Sequence, residues 1–128
     1  MASYVLGRTV ALGFAETEQR VIEELAKVGF GILTVIDVKE TLKKKLDLDV
    51  APYRILGACN PQFASRALAA EPEIGVLLPC NVVVRTVEGG TRVDAMDPAA
   101  GLTLVDRPEV AAMAGEVRLR LEQALAAI

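Results

Sequence analysis

The sequence predicts an α+β protein: a two-layer sandwich in the order βαβαβαββα, with helices on a twisted, mostly antiparallel sheet of about five strands. Three observations carry this. Short runs of β-forming residues alternate with apolar residues at helical spacing along the first half of the chain. Helix-start signals at Asp37 and at Asn60-Pro61 mark where strands give way to helices. Late in the chain, Glu88-Gly89-Gly90 reads as a tight turn between two β-rich arms, which makes part of the sheet antiparallel. The competing arrangement is a mainly parallel α/β sheet. Nothing divides the 128 residues, so 1–128 is read as a single domain.

Tyr4 to Leu12 forms the first strand. Phe14, Glu18, Val21, Ile22, Leu25 and Val28 then recur at helical spacing, and Gly29 suits the residue just past a helix end. In the second strand Phe30, Ile32, Thr34 and Ile36 share one face, with Leu33 and Val35 on the other. Apolar character on both faces predicts a central position. Asp37 with Glu40 opens a short helix whose inner edge is Val38, Leu42 and Leu46. Tyr53 to Ala58 is the third strand, and Phe63, Ala64, Ala67 and Leu68 form the buried face of the next helix, which stops before Pro72. Pro79 leads into Cys80–Val87, and Thr91 to Met96 returns as the second arm of the hairpin, broken by Asp97-Pro98. A last helix starts near Asp106, capped with Glu109, and buries Val110, Met113, Val117, Leu121, Ala124 and Ile128; Arg118, Arg120 and Glu122 lie mostly on its solvated side.

Composition closes several functions. There is no histidine, which removes Ser-His-Asp and Cys-His catalysis and every His-containing metal site. Net charge is −3 and Lys43-Lys44-Lys45 is the one basic run, placed at a helix end where cations suit the dipole, so nucleic acid is not an expected partner. No apolar run approaches the ~20 residues of a membrane span, and the first residues do not resemble a secretory signal. The expectation is a cytoplasmic protein whose two cysteines stay reduced. Two thiols fall short of a structural zinc site, and neither a metal nor a cofactor is expected.

The candidate site residues are Cys59, Asn60 and Cys80. Asn60 reads first as a helix cap. Cys59 immediately precedes that cap, where a positive helix end favours a thiolate, although a small buried side chain ending a strand is the simpler reading. Cys80 starts a strand and shares a face with Val82 and Val84, which favours core packing. If the third and fourth strands run parallel, the sulfurs lie a strand length apart; if antiparallel, they can meet. Gly29-Phe30-Gly31 precedes a strand and lacks a third glycine, so it is no dinucleotide loop. Asp97 is read as satisfying the turn at Pro98, and with Asp94 it makes no catalytic carboxylate pair.

From Tyr4 into the last helix the chain resembles the domain of unknown function 302 family. The resemblance is carried by Gly29-Phe30-Gly31 before the second strand, Asn60-Pro61, Leu78-Pro79 and Asp97-Pro98. It implies a small α+β domain similar in plan to the TATA-binding-protein-like fold, members that tend to dimerise, and no established activity. The expected function is therefore a cytoplasmic small-ligand-binding or interaction domain working as a homodimer, with any small ligand near the Cys59-Asn60 helix start. The alternative is a thiol-dependent enzyme or persulfide carrier, with Cys59 as nucleophile and Cys80 as second thiol.

Overall fold

A computed structural model describes residues 3–128. Its sheet is built outward from the hairpin. β4 (Cys80–Val87) and β5 (Gly90–Met96) pair antiparallel through the two-residue turn Glu88-Gly89, with Val87 opposite Gly90. Gly89 takes φ +84°, a left-handed value that a side chain disfavours. β1 (Val5–Val10) lies beside β5, β3 (Tyr53–Cys59) beside β4, and β2 (Gly31–Asp37) beside β3, giving the order β1-β5-β4-β3-β2 with every pair antiparallel. The parallel alternative is thereby settled against.

The helices follow their capping chemistry. α1 (Phe14–Lys27) ends on Val28, and Gly29 at φ +90° donates to Ala26 while Phe30 donates to Leu25. That pair of bonds is the Schellman closure, and it seats Phe30 against Leu25 in the core. Asp37 caps α2 (Val38–Leu46) by accepting from the Glu40 amide. Asn60 caps α3 (Pro61–Ala70), which is followed by a 3₁₀ segment, Pro72–Leu77. Asp97 caps the single turn α4 (Pro98–Gly101), and after a 3₁₀ turn at Leu102–Leu104 the chain enters α5 (Pro108–Ala126).

α1 and α5 lie across one face of the sheet. Val21 and Leu25 from α1, Val117, Leu121 and Ala124 from α5, and Leu56, Val82, Val84 and Val93 from the strands form the main core. A second cluster joins Ala67 of α3, Ile74, Leu102 and the first turns of α5. Arg54 on β3 ties the layers together, bonding Glu18 of α1 at 2.9 Å and facing Asp37 at 3.4 Å. At the far end of α5, Arg8 donates to the carbonyls of Leu125 and Ala126 at 2.9 Å each, where a helix terminus concentrates negative charge.

Three sequence expectations are corrected. β2 is an edge strand, not a central one: Leu33 and Val35 are 67% and 53% exposed. A register shift between Ile32 and Thr34 also breaks the simple alternation, so Ile32 sits opposite Ala58 and Val35 opposite Leu56. α2 buries no residue, and Leu46, expected inside, is 69% exposed; Leu68 of α3 is likewise exposed. The last helix starts at Pro108 with Arg107 before it and no side-chain cap, because proline sets the first turn and Asp106 lies outside it.

Candidate functional site

β3 and β4 run antiparallel with Ala58 opposite Cys80, so the chain brings Cys59 and Cys80 to the same end of adjacent strands. Both are free thiols. Cys80 is buried among the core residues, and that burial, with the neighbouring Cys59 adding to it, pushes its thiol from 9.0 up to about 11. A thiol held this way is protonated at neutral pH, which makes it a poor nucleophile there. Cys59 is half-buried. The two cysteines, Asn60 and Phe63 share the wall of a cavity of about 40 Å³. Small-molecule sites occupy roughly 300 Å³ or more, so this space is water-sized.

Asn60 accounts for the polar groups at this joint. Its Oδ1 accepts from the amides of Gln62 at 3.1 Å and Phe63 at 3.3 Å, and its carbonyl accepts from Ala64 at 2.9 Å. Pro61 has no N–H to give. The first-turn donors of α3 are therefore taken up inside the protein, and the helix start presents none of them to a bound anion. Cys80 is also followed by an asparagine, but Asn81 is exposed on β4 and caps no helix, so the two Cys-Asn dipeptides occupy unlike environments.

Other features sit where sequence reasoning placed them. Asp97 is buried, accepts from the Ala99 amide at 2.9 Å and faces Arg118 at 3.6 Å. Lys43 and Lys44 pair with Asp47, Asp49 and Glu40. Arg120, expected on the solvated side of α5, instead reaches back to the Val28 carbonyl and lies over the Phe63 ring, whose centroid is 4.9 Å away. Among the described residues no group of three or more His, Cys, Asp or Glu is placed to hold a metal ion, and no helix is long and apolar enough to cross a membrane.

The sequence reading passed over a charged cluster on the sheet face opposite α1 and α5. Arg85, Arg92 and Asp94 meet there beside Tyr4, Tyr53 and Val83, around an open cavity of about 890 Å³. A usable signal was present: a two-residue turn at Glu88-Gly89 sets Arg85 opposite Arg92.

The whole arrangement has a counterpart among solved structures. It is similar to the crystal structure of the uncharacterized conserved protein DUF302 from Bacillus stearothermophilus, with 33% identity, a TM-score of 0.89 and 98% of each chain covered. The family model for the Domain of unknown function DUF302 matches residues 6–128. The chain belongs to that family. No curated protein matches it. The match spans nearly all of the sheet and every helix. The α+β architecture read from the sequence is the one observed here.

Proposed function

We propose that this DUF302 domain is a non-catalytic interaction domain that works as a homodimer, joined edge to edge through β2. The carrying observation is the edge itself. Leu33, Val35 and Ile36 stand exposed on β2, and Leu46 at the end of α2 and Leu48 just after it are exposed too. Exposed apolar edge strands are templates for strand addition, and soluble proteins normally blunt them with charge. The other edge follows that rule: β1 shows Arg8 and Thr9 to solvent. Antiparallel pairing of two β2 strands is an isologous contact, the commonest route to a dimer. Burying a side chain such as Leu33 or Val35 contributes about 1.5–3 kcal/mol.

The missing histidine and the buried Cys80 support the non-catalytic half of this reading. Cys59, Asn60 and Cys80 serve as a structural joint: two small side chains and a cap that fix where β3 hands over to α3. A reducing cytoplasm suits two neighbouring thiols used in this way.

Light scattering coupled to size exclusion tests the proposal. The expected species is twice the 13.6 kDa chain, and Val35→Lys is expected to return it to one folded chain whose circular dichroism matches the wild type and whose melting temperature no longer rises with protein concentration. A wild-type monomer at about 100 μM would sink the idea, since an interface of micromolar strength is fully formed there.

A further inference from the structure

The open side of the sheet carries a like-charge pair that packing does not require. β4 and β5 set Arg85 directly opposite Arg92, and like charges facing each other across a strand pair weaken a sheet. A single carboxylate offsets them: Asp94 accepts from Nε of Arg92 at 2.8 Å and from Nε of Arg85 at 3.2 Å. Two guanidiniums against one carboxylate leave one positive charge in surplus. Both bonds use Nε, so the terminal nitrogens point elsewhere. Nη1 of Arg92 reaches the Thr9 hydroxyl at 3.4 Å, and those of Arg85 have no hydrogen-bond partner among the described residues.

β1 is shaped to this cluster. Gly7 lies opposite Asp94, and a Cβ there would collide with the Arg92 guanidinium and the Asp94 carboxylate. The bare backbone lets the charged groups lie flat against the sheet. Tyr4 at the β1 side and Tyr53 on β3 flank the cavity, with Val83 on its floor. Neither tyrosine hydroxyl has a partner among the described residues. The volume of about 890 Å³ falls within the range of small-molecule sites.

We infer that this face binds a small organic anion, its carboxylate or phosphate head held by Arg85 and Arg92 and its apolar body lying over Val83 between Tyr4 and Tyr53. A guanidinium presents paired donors that match either oxyanion, and the incoming charge relieves the repulsion between the two arginines. The site is separate from the proposed dimer contact, which uses the far edge of the sheet and leaves this face open.

The test is a ¹H–¹⁵N NMR titration of the full chain with phenyl phosphate, benzoate, inorganic phosphate and benzyl alcohol. Saturable shifts are expected at the amides of Gly7, Val83 to Arg85 and Arg92 to Asp94 with phenyl phosphate, benzoate or both. Phenyl phosphate alone identifies a phosphate head, benzoate alone a carboxylate, and both a shared oxyanion site. Benzyl alcohol is expected to leave these amides unmoved. Arg85→Gln should weaken binding about tenfold, whereas Asp94→Asn, which removes the competing carboxylate, should tighten it. Opposite effects from neighbouring substitutions separate recognition from any loss of fold. The inference is overturned if no probe gives saturable shifts up to about 10 mM, where a Kd of about 1 mM is readily seen. It is equally overturned if Arg85→Gln changes nothing or if inorganic phosphate binds as well as phenyl phosphate.

Discussion

Replacing Cys80 by alanine should flatten the alkaline limb of the stability curve. Cys80 is 8% exposed within the main core, and burial raises its thiol from 9.0 to about 11. Below pH 9 the folded and unfolded chains both carry the proton, so the group leaves stability independent of pH. Between 9.0 and about 11 the unfolded chain releases its proton while the folded chain keeps it, and stability falls as pH rises. Over that span of about two pH units, at about 1.4 kcal/mol each, the loss reaches roughly 3 kcal/mol. Cys80→Ala has no such proton. It should be less stable at about pH 8, because a small core void costs about 1 kcal/mol, yet lose less on going to about pH 11. Urea unfolding followed by circular dichroism at a series of pH values gives both curves, and the lysine and tyrosine titrations common to them cancel. Alkylation offers an independent check: at about pH 8 the native thiol should react about a hundredfold more slowly than the same cysteine in urea, in proportion to its thiolate fraction. Parallel pH curves for the two proteins, or equal alkylation rates folded and unfolded, would refute the reasoning. Rapid native alkylation would also revive thiol chemistry at this joint.

Two further outcomes follow from the helix ends. Asn60→Ala strips the acceptor from the Gln62 and Phe63 amides, which sit at 3.1 and 3.3 Å, and should cost about 1–2 kcal/mol in urea unfolding, with Asn60→Asp recovering most of it. An unchanged midpoint for the alanine variant would mean that water replaces the cap. Arg8→Ala removes the one nitrogen that donates to both the Leu125 and Ala126 carbonyls and should speed amide hydrogen exchange in the last turn of α5, at a global cost of about 0.5–1 kcal/mol. Protection unchanged in that turn would show that Arg8 contributes nothing there.

Much of the fold was legible because its punctuation is local. Asp37, Asn60 and Asp97 announce helix starts through side chains that bond amides two or three residues on, and Gly29 and Gly89 announce backbone turns that only positive φ can make. Position within the sheet is not local. Apolar residues on both faces of β2 fit a central strand, but they equally fit an edge that something outside the chain covers. A single sequence carries no sign distinguishing the two. The shift at Leu33 adds to this, since one extra residue reverses which side chains share a face. Cys59 and Cys80 were legible as boundaries, whereas their adjacency depended on strand direction, which the chain fixes only through tertiary pairing. The Arg85–Arg92 pair was recoverable from the hairpin register, yet its meaning emerges only with Gly7, contributed from β1 at the start of the chain.

The two margins of this sheet are unlike, and the difference sets how far assembly can proceed. An open margin on each side would let copies add without end, as fibrils do. Here β2 exposes apolar side chains, while β1 shows charge to solvent and is tied through Arg8 to the end of α5. Two copies joined through β2 would form a ten-stranded sheet bounded on both flanks by β1, with no receptive strand left over. The same asymmetry would make the proposed pair self-limiting.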